Sequence, residues 1–267
     1  MTYLFGHTDP ETRRLQLQSR LYDGHMEYAL RLAGLRPGMR VLDVGCGVGD
    51  VSFLAAGLVG PTGSVTGVDM SGDVIEHARR RAREFNFPTV RFVQSAIDDI
   101  ALDEPVDAVI GRLILMHLPD PVEALRKLAV RIRPGGVVAF SDFENRGTAS
   151  VPETPLCEAI LGAIRETFAR MGVDSNFGLT MHQCFSRAGL DSPRMTLGAP
   201  VAGPDDILEL TWLAETWRSL LPLARKLAVN TDGLTDTDEF PSRLQQELAD
   251  AGAVFMLPAL ITAWARI

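Results

Sequence analysis

Ten consecutive residues concentrate the chemistry of this chain: Val41-Leu42-Asp43-Val44-Gly45-Cys46-Gly47-Val48-Gly49-Asp50. A short apolar run ending in a glycine cluster lets a ligand approach the backbone closely at the carboxyl end of a strand. The spacing argues against a dinucleotide. A G-x-G-x-x-G fingerprint needs its third glycine at position 50, where Asp50 stands, and the third glycine is Gly49 instead. Asp43, two residues before Gly45, would repel a phosphate and attract an ammonium group. Asp69 comes 24 residues after Gly45, at the end of the next apolar run, where a carboxylate accepts hydrogen bonds from both hydroxyls of a ribose. The ligand these residues describe is a nucleoside with a cationic amine and no phosphate.

Positioning such a site requires a parallel sheet covered by helices, and from Arg40 to Asp142 apolar runs alternate with amphipathic stretches as that architecture demands. Strands are expected at 41–44, 64–68, 90–94, 106–110 and 137–141, with helices at 49–58, 71–84 and 122–132. Pro121 suits the first turn of the last of these, where a missing N–H costs nothing. Pro134-Gly135-Gly136 reads as a turn into the fifth strand. Two helical patterns precede the first strand, at 10–18 and 21–33. Beyond the fifth strand come a polar loop at 145–154, helices at 156–171 and 181–188, a strand at 194–202, helices at 205–229 and 239–251, and a closing strand at 253–264.

The combination D-x-G-x-G-x-G (Asp43 to Gly49), then Val68-Asp69, then Arg133-Pro134-Gly135-Gly136 before the fifth strand resembles the class I S-adenosylmethionine-dependent methyltransferases. The resemblance covers residues 36–142 and implies S-adenosyl-L-methionine as cofactor. It also implies an α/β Rossmann-like fold: a seven-stranded, mostly parallel sheet with helices on both faces, the last strand antiparallel, and a helical cap. On this reading the chain divides into an N-terminal helical cap (1–36), a cofactor-binding core (37–144), a helical segment with the sixth strand (145–204), a helical insertion (205–251) and a closing strand (252–267). Gly45, Cys46, Gly47 and Gly49 would lie under the methionine part of the cofactor, Asp43 at its amino group, Asp69 at the ribose and Met70 on the adenine face. The family often places an acidic residue after the third strand for the adenine amino group, and Ala96 stands there. Backbone groups of Ala96 and Ile97 would then read the adenine edge, with Ser95 or Asp98 supplying the polar side chain. Arg112, at the end of the fourth strand, would pair with the cofactor carboxylate or cap the strand.

Methyl transfer from a sulfonium carries its own leaving group, so the protein has to align the nucleophile, exclude water and remove a proton where the acceptor holds one. His117, just past the fourth strand, is the best-placed base, its alternative role being to cap the following helix. Asp142 and Glu144 are further acceptors, or solvated loop carboxylates. His7, Tyr22, Tyr28 and His182 lie in segments that could close over the site. Trp212, Trp217, Phe177 and Met171 suggest an enclosed apolar pocket, hence a small hydrophobic acceptor such as a secondary metabolite, a quinone-like or an isoprenoid compound. The same residues would also suit a core or a homodimer interface. A second reading is a methyltransferase-like protein that binds the cofactor without transferring methyl, as a binding module or a catalyst of another rearrangement.

Composition narrows the partners. The 267 residues carry 26 basic and 34 acidic side chains, a formal net charge of −8, which argues against a nucleic-acid groove. The short run Arg79-Arg80-Arg81-Ala82-Arg83 reads as a solvated helix face. Three dispersed cysteines (Cys46, Cys157, Cys184) fit neither a disulfide framework nor a zinc site, and they suit a reducing, cytoplasmic setting. The amino terminus lacks the pattern of a signal peptide. The longest apolar run, 252–265, contains Pro258 and is shorter than the roughly 20 residues that span a bilayer, so no membrane association is expected.

Overall fold

The computed structural model describes residues 9–190 and 192–267. In chain order the elements are α1 (Asp9–Ala33), β1 (Arg40–Val44), α2 (Asp50–Val59), β2 (Ser64–Asp69), α3 (Gly72–Glu84), β3 (Val90–Gln94), β4 (Val106–Arg112), α4 (Pro121–Ala129), β5 (Ile132–Glu144), β6 (Ala149–Val151), α5 (Pro155–Arg170), α6 (Phe177–Arg187), β7 (Arg194–Gly198), β8 (Val201–Ala202), α7 (Ile207–Lys226), α8 (Phe240–Ala251), β9 (Val254–Met256) and β10 (Ala259–Arg266). Single 3-10 turns cover Ile97–Asp99 and Leu115–His117. No helix among the described residues is long and apolar enough to cross a membrane.

The chain forms two compact units. One comprises Asp23–Phe143, Phe177–Leu197 and Leu260–Ile267, and holds a seven-stranded sheet in the order β3-β2-β1-β4-β5-β10-β7. The sheet is mostly parallel with its last strand, β10, antiparallel. Strand β1 pairs in parallel with β2 on one side and β4 on the other, so the order reverses at its carboxyl end. A crevice at such a reversal is where open α/β sheets bind ligands.

The two-residue period of β1 distributes its side chains between the faces. Leu42 and Val44 join a core of Leu125 and Leu128 from α4, Phe185 from α6 and Phe140 from β5. Asp43 points the other way, to Ser52 on α2. Helix α2 can approach because Gly67 of β2 has no side chain: a Cβ there would lie 2.8 Å from Ser52 Oγ and 2.7 Å from the Phe92 ring. Asp120 caps α4 by accepting from Glu123 N at 2.9 Å, with Pro121 in the first turn.

The second unit comprises, among the described residues, 9–22, Glu144–Asn176 and Gly198–Ala259. It contains α5, α7, α8 and a three-stranded antiparallel sheet, β6-β9-β8. Glu247 of α8 accepts from Leu156 N at 2.9 Å and thereby serves the open N-terminus of α5.

Several boundaries differ from the sequence expectation. The two N-terminal helical patterns form one helix, α1, because no glycine or proline separates Gln18 from Leu21. The expected sixth strand is two, β7 and β8, interrupted at Ala199-Pro200, and Pro258 likewise divides the closing stretch into β9 and β10. Pro lacks the N–H that a continuous ladder needs. The two strands split off in this way, β8 and β9, pair with each other, and β9 also pairs with β6, inside the expected loop 145–154, to make the small sheet. Pro134-Gly135-Gly136 is carried within β5, with a register shift against β4 between Val106 and Ala108.

A close approach in the large sheet is at Gly111 of β4, where a Cβ would stand 2.6 Å from the Phe140 ring and 2.9 Å from the Val44 carbonyl oxygen. Gly111→Ala is expected to lower unfolding stability by about 1–3 kcal/mol through overpacking. An unchanged urea midpoint would contradict this packing.

Candidate functional site

Between β1 and α2 the chain turns through Gly45, Gly47 and Gly49, with φ of 67°, 51° and 96°. Left-handed backbone of this kind favours glycine. The three positions do different things. A Cβ on Gly45 would lie 2.8 Å from the Ile114 side chain, and one on Gly49 2.7 Å from Phe92, so both glycines admit protein neighbours. Gly47 has nothing within 4 Å on that side and is open to a ligand.

The loop is tied down at four points. Cys46 N donates to Val68 O of β2 at 3.0 Å, and Gly47 N donates to Asp69 Oδ2 at 3.1 Å. The other oxygen of Asp69 accepts from Ser71 N at 3.0 Å, ahead of α3. From α3, Arg81 donates to Val48 O at 2.7 Å and pairs with Asp50 at 2.8 Å. Asp69 therefore lies beside the open glycine, with both oxygens already engaged by backbone N–H groups and lone pairs remaining.

Asp43 is 1% exposed and accepts a 2.6 Å hydrogen bond from Ser52 Oγ. Burial pushes its carboxyl up to about 7, against the opposing pulls of the Ser52 bond and the Arg112 charge. Cys46 is also buried, and desolvation together with Asp43 and Asp69 holds its thiol well above the usual range, which makes it a poor nucleophile.

The residues expected at the adenine follow the carboxyl ends of β2 and β3. Met70 is 55% exposed, and its carbonyl accepts from Gln94. Ala96 precedes the 3-10 turn that begins at Ile97. Of the two polar side chains considered there, Ser95 donates to Ala96 O at 2.9 Å and Asp98 pairs with Lys127 at 2.7 Å. Arg112 has its side chain 6% exposed and pairs with Asp23 of α1 at 2.8 Å.

The acceptor-side expectations fare unevenly. His117 ends the 3-10 turn after β4, half-buried, and the helix cap suggested for it belongs to Asp120. Asp142 and Glu144 are not solvated carboxylates: they are 0% and 6% exposed. Burial pushes Asp142 well above the ordinary carboxylate range, opposed by the backbone N–H groups of Leu115 and Met116 that face it. Glu144 pairs with Arg146 at 3.5 Å. Tyr22 is fully buried and donates to Pro258 O at 2.8 Å, whereas Tyr28 and His182 are exposed. His7 lies outside the described residues. Trp217, 0% exposed, donates to Leu234 O at 2.7 Å and sits in the core of its unit, as Phe177 does in the core of the sheet unit. Met171 caps α5, and Trp212 lies edge-on to Tyr22.

Two contributors escaped the sequence reading. Ser52 is a lone hydroxyl in an apolar helix, and its polarity on a buried face was the available signal. Arg81 belongs to a run taken as a solvated face, yet Arg81 and Arg79 both turn inward, Arg79 donating to Phe92 O at 2.9 Å. No group of three His, Cys, Asp or Glu side chains suited to a metal ion occurs among the described residues. A groove of about 520 Å³ opens at the amino ends of β1 to β4, on the edge opposite the glycine loop, and so contains none of this chemistry.

Residues 35–184 match the protein family described as a methyltransferase domain. Among curated relatives, the ubiquinone biosynthesis O-methyltransferase of Alkalilimnicola ehrlichii is 39% identical over 140 residues, 52% of this chain and 53% of that protein. The 2-phytyl-1,4-naphtoquinone methyltransferase of Nostoc sp. is 33% identical over 119 residues, 44% of this chain and 52% of that protein. The chain thus spans about half the length of these relatives. Among solved structures, the YcgJ protein of Bacillus subtilis superposes with a TM-score of 0.59 over 92% of this chain and 98% of that one, at 19% identity, a likeness of fold.

The raised Asp43 carboxyl has a consequence for stability. Its folded value of about 7 lies above the unfolded 3.8, so the folded state binds more protons between those values. Stability is complete below pH 3.8 and declines as pH rises to 7, by about 4 kcal/mol at most for this group (3.2 × 1.36). Asp43→Asn retains a side-chain acceptor for Ser52 without the ionisation. Its stability relative to the natural chain is expected to improve from pH 4.5 to pH 7.5 in urea titrations, and a constant difference would contradict the burial argument.

Proposed function

The chain belongs to the methyltransferase-domain family, and from that premise we propose that it moves a methyl group from S-adenosyl-L-methionine to an O, N or C nucleophile of a small, hydrophobic metabolite. The observation that carries this reading is the glycine loop with its open Gly47, flanked by Asp43 and Asp69. Similarity to methyltransferases named for quinone substrates supports a small-molecule acceptor of the quinone-like or secondary-metabolite kind.

The cofactor supplies the electrophilic methyl and its own sulfide leaving group. This chain's residues then bind and orient. Gly45, Cys46, Gly47 and Gly49 provide backbone against the methionine part, and Asp69 adds ribose hydroxyls to the N–H groups it already holds. Met70 offers an exposed apolar surface to the adenine, with the backbone of Ala96 and Ile97 at its edge. Asp43, near half-protonated at neutral pH, ionises when an ammonium group arrives. Arg112, shared with Asp23, is the cation available to a cofactor carboxylate. His117 takes the acceptor's proton where there is one.

Two measurements test the binding part. Asp69→Ala is expected to weaken S-adenosylmethionine binding by roughly 1.5–3 kcal/mol, the scale of hydrogen bonds to charged groups. Unchanged affinity in a folded variant, read by calorimetry, would remove the ribose assignment. At pH 6, binding is expected to release close to one proton from Asp43, falling toward zero by pH 9, as read from calorimetry in buffers of different ionisation heat. Methyl transfer itself is tested by incubating the chain with methyl-labelled S-adenosylmethionine and a metabolite extract. A labelled small molecule is expected, and it should disappear with Asp43→Ala. Cofactor binding with no labelled product in any extract would favour a non-transferring binding protein.

A further inference from the structure

Parallel strands are usually joined by a helix that packs on the sheet, but residues 95–105 connect β3 to β4 with only the 3-10 turn Ile97–Asp99. One face of β2 and β3 is left open at its amino end. The parallel register sets Arg40 beside Ser64 and Thr66 beside Arg91, and the two-residue period of the strands turns all four side chains to that face. The groove of about 520 Å³ lies there. Its lining comes from 88–91 at β3, from 102–104 ahead of β4 and, between them in the sheet order, from Ser64 and Thr66 of β2. All of these residues belong to one compact unit.

The charged side chains of the groove are Arg40, Arg91, Asp103 and Glu104. Arg40 is committed to the protein: Nη1 pairs with Glu104, and Nη2 donates to Pro105 O at 2.9 Å. Arg91 is held differently. Its Nε donates to Thr66 Oγ1 at 2.8 Å, and Thr66 is itself only 9% exposed, so the guanidinium of this exposed residue is anchored to the sheet through a single N–H. The N–H groups of Nη1 and Nη2 form a planar fork whose geometry matches a carboxylate.

An anion at Arg91 shares the groove with Asp103 and Glu104. Coulomb repulsion scales with the charge brought in, so a dianion such as phosphate meets twice the opposition that a single carboxylate does. Pro88 and Leu102 add apolar surface for the remainder of a ligand. We propose that this groove is a binding site for a small carboxylic acid with one negative charge and a short apolar body, its carboxylate held by Arg91. The site lies at the sheet edge opposite the glycine loop and stands independently of the methyl-transfer reading.

The test uses the full chain in ligand-observed NMR titrations with 4-methylpentanoate, the uncharged 4-methylpentanamide and inorganic phosphate as probes. The carboxylate is expected to bind more tightly than the amide and than phosphate, each by about fivefold or more, and Arg91→Gln is expected to lose about fivefold or more of that affinity. Asp103→Asn should narrow the gap between phosphate and the carboxylate. No carboxylate binding, equal binding of acid and amide, tighter binding of phosphate, or carboxylate binding unaffected by Arg91→Gln would overturn the proposal. Ser64→Leu, which places bulk on the groove from an exposed position, should also lose the carboxylate and decides the matter should Arg91→Gln not fold. Calorimetry with S-adenosylhomocysteine separates the two sites: Arg91→Gln should leave its binding unchanged, and a joint loss of both ligands in a folded variant would overturn the independent groove site.

Discussion

One carboxylate organises the sheet edge on which the proposed chemistry depends. Asp69 closes β2 and holds Gly47 N with one oxygen and Ser71 N with the other. The glycine loop and the approach to α3 are thereby fixed to the same side chain. Each bond is charge-assisted and so stronger than a neutral one. The loop gains a second anchor from Arg81, which reaches back from α3 to Val48 O and Asp50. A backbone of positive-φ glycines would otherwise be among the more mobile parts of the fold. Here it is held from two directions while Gly47 keeps an open side.

Asp43 adds a different constraint. Its carboxyl is almost wholly removed from water, with the Ser52 hydroxyl as its hydrogen-bond donor. Burying an ionised group is costly, and the raised protonation range is how the structure meets that cost. Asp142, near the end of β5, is likewise raised by burial, with the backbone of Leu115 and Met116 facing it in place of a side-chain donor. Both carboxyls sit toward the carboxyl ends of strands of the large sheet, β1 and β5, with β4 between them. On the proposed reading, the Asp43 carboxyl, held near neutral by burial, would ionise as an ammonium group arrives and so couple ligand charge to binding without a preformed buried anion.

The core was readable because its signals are short-range. Strands β1 to β4 and helices α2 to α4 lie within a few residues of their expected positions, set by apolar runs, glycine punctuation and Pro121. Asp43, the glycines and Asp69 come together at one edge because a parallel βαβ unit brings consecutive strand ends side by side. What stayed hidden depends on long-range pairing. Strand β6 has three residues, and its partner β9 lies about a hundred residues away, so no local pattern announces the small sheet. Arg112 illustrates the same limit: its ion pair with Asp23 joins β4 to α1, and neither residue's neighbours in sequence point to it. Trp217 and Phe177 suit a pocket, a core or an interface by composition alone, and their burial decides for the core.

The acid excess also takes on a different meaning. A formal charge of −8 treats every carboxylate as ionised and at the surface. Asp43, Asp142, Glu144 and Glu215 are all under 9% exposed. Burial raises both Asp43 and Asp142 above the ordinary carboxylate range, so neither counts as a full surface charge. The surface field that would repel a polyanion is correspondingly weaker than the sequence count implies. Part of the acidity lies inside the protein, where Asp43 adjoins the glycine loop and Glu215 is enclosed along α7. An interior carboxyl interacts with its few neighbours at short range and in low dielectric, whereas a surface charge is screened within about 10 Å by salt.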